Sequence, residues 1–172
     1  RISSYAFSKS QIKEIVIPSN VTEIEKGAFY GCTKLKTIEI APDSKLRIID
    51  EHVFENTTIN EITIPSNVTK ISKTAFSDCR KLINILFTPN SELQEIESSA
   101  FAYLPIESFT IPPHVKYINR KTFDSCRYLK TVIVAPNSEL QTIEKSEFQF
   151  SPIENLCIPS SFVEFKDGWC KR

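Results

Sequence analysis

A phenylalanine recurs along this chain in a fixed alternation. Phe7, Phe29, Phe54, Phe76, Phe101, Phe123 and Phe148 stand 22, 25, 22, 25, 22 and 25 residues apart. Two steps make a 47-residue unit, and other columns keep that period: Ile12, Ile59, Ile106 and Ile153; Pro18, Pro65, Pro112 and Pro159; Cys32, Cys79 and Cys126. Several columns in register at one such period mark a stacked-repeat architecture, in which each repeat is one coil and neighbouring coils bury each other. About seven coils in 22/25-residue alternation are expected, forming one domain over residues 1–172.

Each coil carries a short apolar-x-x-apolar-x-apolar segment, as in Ile12, Ile15, Ile17 and in Leu35, Ile38, Ile40. The last two apolar residues are two apart, the spacing of a strand with one buried face. Proline follows, at once in odd coils (Pro18) and after one residue in even coils (Ala41-Pro42). Proline cannot donate to a ladder, so the pairing ends there and the chain turns. A second apolar pair comes next, such as Val21 and Ile24 or Leu46 and Ile49, and the Phe then sits in a tight turn or single helical turn. The expected fold is a solenoid with a parallel sheet on one face and short strands, turns or 3-10 helices on the other.

The remaining strand residues point away from the core and line up in two exposed columns. The first reads Glu14, Thr37, Glu61, Asn84, Ser108, Thr131, Asn155, and the second Val16, Glu39, Thr63, Leu86, Thr110, Ile133, Cys157. They are acidic early (Glu14, Glu39, Glu61) and semi-apolar late. Two readings stand at this point. Thr, Val and Ile suit any sheet surface and the glutamates keep it soluble; alternatively the columns form a ligand-binding surface for a protein partner. Neither column holds Lys, Arg or an aromatic residue, which excludes nucleic acid as the partner of this face. Lys plus Arg equals Asp plus Glu at 21 each, so no global field draws a polyanion or an anionic membrane.

Chemistry is sparse. His52 and His114 lie in different columns more than two coils apart, there is no G-x-S-x-G, and the three glycines (Gly27, Gly31, Gly168) cannot cradle a phosphate. Glutamates without a cleft and opposing environments are no active site, so no enzyme and no cofactor are expected. Cys32, Cys79 and Cys126 share a column two coils apart, roughly 10 Å, beyond the about 7 Å Cα separation that a disulfide spans. They read as small buried residues at a turn, without metal spacing. Cys157 takes the place of Val16, Thr63 and Thr110 on the exposed face and is a candidate reactive thiol. In the last copy Phe162 and Phe165 replace Val21 and Ile24, and Trp169 and Cys170 take the slots of Ala28 and Phe29, which predicts local repacking.

Asn20, Asn56 and Asn67 open Asn-x-Thr sequons, open to glycosylation in a secreted chain; two of them also belong to the repeated Ser-Asn-Val-Thr turn. No apolar run is long enough to span a bilayer. The chain lacks an initiator Met and opens inside a repeat, so a fragment of a longer array is expected, with any leader or anchor outside it.

The pattern I-x-I-P-S-N-V-x-x-I-x-x-x-A-F-x-x-C-x-x-L, at Ile15 to Leu35 and Ile62 to Leu82, resembles the BspA-like leucine-rich repeats. The even coils, with A-P-D-S-K-L at Ala41 to Leu46 and P-N-S-E-L at Pro89 to Leu93, resemble the variant frequent in parasitic protists. The resemblance covers essentially the whole chain. It implies a right-handed leucine-rich-repeat solenoid and a non-enzymatic cell-surface or secreted antigen, adhesin-like, that binds host-cell or matrix ligands. The competing expectation is an intracellular scaffold on the same solenoid, since five cysteines without a paired framework suit a reducing compartment.

Overall fold

The structure is a computed structural model that describes residues 1–143 and 145–159. Its strands, in chain order, are β1 (Glu14–Ile17), β2 (Thr37–Ile40), β3 (Ile48–Ile49), β4 (Glu61–Ile64), β5 (Lys70–Ile71), β6 (Asn84–Phe87), β7 (Glu95–Ile96), β8 (Ser108–Ile111), β9 (Tyr117–Ile118), β10 (Thr131–Val134) and β11 (Asn155–Cys157). Seven of them, β1, β2, β4, β6, β8, β10 and β11, fall where the apolar-x-x-apolar-x-apolar segments predict. Six turns of a parallel solenoid separate them. The repacking expected around Phe162, Phe165, Trp169 and Cys170 lies outside the described residues.

All strand pairs are parallel, and the registers follow the repeat. Ile15 pairs Ile38, Ile62 pairs Ile85, and Val132 pairs both Phe109 and Leu156. The two-residue strands form a second sheet in the order β3-β5-β7-β9, burying Ile49, Ile71, Ile96 and Ile118. These are the residues read as the second apolar pair. On the main face the sheet is not continuous. It divides into β1-β2, β4-β6 and β8-β10-β11, and no backbone ladder joins β2 to β4 or β6 to β8.

The Phe column forms the spine of the core. Neighbouring rings stack with centroids 5.3 Å (Phe7–Phe29), 5.5 Å (Phe29–Phe54), 5.4 Å (Phe54–Phe76), 5.6 Å (Phe76–Phe101), 5.6 Å (Phe101–Phe123) and 5.2 Å (Phe123–Phe148) apart. Phe29, Phe54, Phe76, Phe101 and Phe123 are fully buried. Each of these rings takes its stacked partners from the coils on either side, and Phe101 also meets Phe109 of its own coil at 5.3 Å.

Around each Phe the backbone makes its own ladder. The residues two before and two after it take positive φ: Gly27 and Gly31, His52 and Asn56, Thr74 and Asp78, Ser99 and Tyr103, Lys121 and Ser125. The N–H groups of the Phe and of most of these flanking residues donate to the next coil. Examples are Asn56 to the Ser77 carbonyl (3.0 Å), Phe76 to Ala100 (2.9 Å) and Phe123 to Glu147 (2.8 Å). A bend is thus paired between coils as a strand would be. Glycine meets the left-handed requirement only in the second coil, where a Cβ on Gly27 would also collide with the Tyr5 ring. Elsewhere ordinary residues bear the strain, about 1–2 kcal/mol each.

Two outcomes follow from the Phe column and its flanks. Phe76→Ala is expected to cost about 3–5 kcal/mol in denaturant unfolding, because coils packed on both sides cannot collapse into the void. Lys121→Gly is expected to stabilise by about 0.5–1 kcal/mol in the same measurement, since φ is +62° there and the side chain is exposed.

Candidate functional site

The two predicted columns lie side by side on the exposed main face. Glu14 stands opposite Thr37 and Val16 opposite Glu39; Glu61 faces Asn84 and Thr63 faces Leu86. Ser108, Thr131 and Asn155 run in line, as do Thr110, Ile133 and Cys157. All are exposed except the half-buried Thr131. Three apolar members stay open to solvent, Val16 at 64 %, Leu86 at 48 % and Ile133 at 37 % exposure. Among the acidic members, Glu61 accepts a hydrogen bond from Asn84 Nδ2 at 3.3 Å.

The two lapses in the sheet give this face relief. At the β2/β4 seam a groove of about 700 Å³ opens between Val16, Glu39, Pro42, Glu61, Thr63 and Pro65. At the β6/β8 seam a second, of about 480 Å³, is lined by Asn84, Leu86, Pro105, Ser108 and Thr110. The columns are legible in the alternation of the sequence, but the grooves are not, because they depend on which neighbouring strands close their ladder. A third groove, of about 680 Å³, lies on the side that carries the two-residue strands, between Ile24 and Ile48. Most of its charges are engaged in ion pairs, among them Lys70 with Glu97 at 2.6 Å and Arg47 with Glu92 at 3.1 Å. It reads as structure rather than as a site.

The histidines do not meet. Nδ1 of His52 contacts Glu55 Oε2 at 2.5 Å and Thr74 Oγ1 at 2.6 Å. His114 Nδ1 lies 2.6 Å from Glu139 Oε1, and this hydrogen bond, with the nearby Lys116 charge, holds the Glu139 carboxyl below its ordinary range. Among the described residues, no group of three or more His, Cys, Asp or Glu side chains is disposed to hold a metal ion, and no helix is long and apolar enough to cross a membrane. Of the sequon asparagines, Asn20 and Asn56 are exposed, whereas Asn67 is half-buried with its Nδ2 donating to the Ser44 carbonyl at 2.8 Å.

A closed coil with one short strand, a proline-led turn and a Phe bend is a leucine-rich-repeat unit. The chain matches the BspA type leucine rich repeat region in six copies, over residues 1–130 and 94–169, and belongs to that family. Similar solved structures include a T. pallidum leucine-rich repeat protein, TpLRR, at 24 % identity and TM-score 0.79, covering 91 % of this chain and 74 % of that one. A Bacteroides ovatus leucine-rich repeat protein has 21 % identity and TM-score 0.75, covering 94 % and 46 %. A leucine rich cell surface protein of Faecalibacterium prausnitzii has 25 % identity and TM-score 0.54, covering 78 % and 41 %. This chain thus spans less than half the length of the last two. A search of curated protein sequences gives no match.

The cysteine column has a role that its spacing did not reveal. Each buried thiol donates to the Phe carbonyl of the preceding coil: Cys32 to Phe7 at 2.9 Å, Cys79 to Phe54 at 2.9 Å and Cys126 to Phe101 at 3.1 Å. Ser151 does the same toward Phe123 at 2.7 Å, so a hydroxyl can fill the slot. Burial pushes the Cys79 and Cys126 thiols up to about 12, far from the thiolate form that reacts. Cys157, by contrast, is free and exposed. In native protein a maleimide, read by peptide mass mapping, is expected to label Cys157 within minutes and Cys32, Cys79 and Cys126 only after denaturation. Fast labelling of Cys79 in the native state would mean that the column is not closed.

Proposed function

We propose that this chain is a non-enzymatic recognition module that holds a protein ligand on its main sheet face. The observation that supports it best is the pair of columns itself. Thirteen of its fourteen side chains are exposed on strands fixed by the core, and Val16, Leu86 and Ile133 lie uncovered among them. A rigid scaffold with a little open apolar surface loses little order on binding and gains by covering that surface. The seam grooves add concavities for protruding side chains. Glu39 and Glu61 at the β2/β4 groove suit a basic one, and Leu86 with Pro105 at the β6/β8 groove suits an apolar one. The F. prausnitzii relative is described as a cell surface protein, which supports a cell-surface or extracellular setting for this chain as well. The exposed Asn20 and Asn56 sequons fit that setting, and adhesion to host-cell or matrix proteins is the form of recognition that we infer.

Purified chain would be tested against immobilised matrix proteins and host cells, beside a variant carrying Glu39→Lys, Leu86→Glu and Ile133→Glu. The wild type is expected to bind, and the variant to bind at least about tenfold more weakly with an unchanged melting temperature, because central contacts carry most of an interface. Equal binding by the two would remove the sheet face from consideration.

A further inference from the structure

The edge by which the chain enters the main sheet carries a different chemistry. From the Phe to the first apolar strand residue is six positions in even coils (Phe29 to Leu35, Phe76 to Leu82, Phe123 to Leu129) and five in odd coils (Phe54 to Ile59, Phe101 to Ile106). The odd coils are one residue short on this edge and leave a notch between their even neighbours. The even coils spend their extra residue on a bend in which the leucine is buried and the other side chains are exposed and rich in cations: Thr33-Lys34-Leu35-Lys36, Arg80-Lys81-Leu82 and Arg127-Tyr128-Leu129-Lys130.

The notch over the third coil has a volume of about 380 Å³ and is lined by Thr33, Lys34, Lys36, Thr58, Asn60 and Lys81. Three lysines thus surround it from both lips, and no carboxylate lines it. Among the described residues, none of the three has an ion-pair partner, whereas Arg80 is held by Asp78 at 2.8 Å and Lys130 by Glu154 at 3.3 Å. The floor is fixed, because the Thr58 hydroxyl donates to the Thr33 and Leu35 carbonyls at 3.2 and 3.0 Å. A second notch, over the fifth coil, has Arg80 on one lip and Arg127 with Tyr128 on the other, above Tyr103 and Pro105.

We propose that this notched edge binds a linear sulfated polysaccharide, with a sulfate seated among Lys34, Lys36 and Lys81. Three lysines lining one notch without a carboxylate make a site for an anion, and their ammoniums can act on a tetrahedral oxyanion as point charges from either lip. The notches recur every second coil, roughly 10 Å apart. The cationic bends of successive even coils, with Thr58 and Asn60 or Tyr103 and Pro105 of the odd coils between them, match a chain whose anionic groups alternate with hydroxylated sugar units. A nucleic acid carries a phosphate at every nucleotide and calls for a continuous basic track, which these neutral stretches interrupt. One exposed contact of this kind is weak in salt, but contacts on one polymer act together. The edge is separate from the two sheet columns, so it can bind glycan whether or not they hold a protein.

The test uses residues 1–172 on immobilised heparin, fully desulfated heparin and single-stranded DNA. The wild type is expected to bind heparin and not the desulfated form. A K34Q/K36Q/K81Q variant is expected to bind about tenfold more weakly, with a salt slope shallower by about 2. A K45Q/K73Q/R120Q variant changes the net charge equally at exposed cations away from the notch and is expected to bind as wild type. Melting temperatures of both variants are compared, and K81Q alone repeats the comparison at one lip if the triple variant is destabilised. Absence of heparin binding, equal losses in the two triple variants, or tighter binding to DNA than to heparin would overturn the proposal.

Discussion

Each coil of this protein is one layer thick, and the stack of phenylalanine rings is what turns layers into a core. A ring such as Phe76 has no apolar neighbour of comparable size above or below it within its own coil. Its partners, Phe54 and Phe101, belong to the coils on either side, at 5.4 and 5.6 Å. Every other contact in the fold inherits that spacing. The parallel ladders of both sheets, the bends with positive φ and the cysteine thiols that cap Phe carbonyls all run from one coil to the next. Stability in such a chain is a sum over neighbouring coils rather than the property of one central core.

The same geometry explains why functional chemistry is confined to surfaces. Core positions repeat with the coil and are filled by Ile, Leu, Val, Phe and Cys. The thiols among them serve as hydrogen-bond donors, and burial drives those of Cys79 and Cys126 toward the neutral form. What varies freely is what points outward. On the main face that is an acidic-to-apolar pair of columns, and on the adjoining edge it is a run of cations set around notches. The two surfaces lie on separate parts of the fold, so the protein and glycan ligands proposed for them do not compete for one site.

Much of this was legible in the residues. The 47-residue period, the buried alternation, the proline stops and the outward columns follow from spacing alone, because each rests on a local rule: strand periodicity, the missing proline N–H, and the need of a thin coil for a neighbour. The inability of Cys32, Cys79 and Cys126 to pair with one another followed from the two-coil separation. The class of function did not follow from spacing. It came from resemblance, and membership in the BspA type family supports it at the level of the repeat.

What the tertiary structure alone decided has a common physical origin in contacts between coils that no single coil encodes. Ile38 and Ile62 obey the same strand pattern as Ile62 and Ile85, yet only the second pair closes its ladder, and the lapse makes a groove. Lysines 34, 36 and 81 are ordinary surface residues in the sequence. They come to line one notch only when the coils on either side of the shorter third coil stack. Positive φ at Thr74 or Lys121 could not be read from residue type, since nothing local favours it and the ladder to the next coil imposes it. The sequence by itself determined the repeat, the core and which side chains face out. The stacking of coils determined where strands fail to pair, where the surface sinks and which charges gather there.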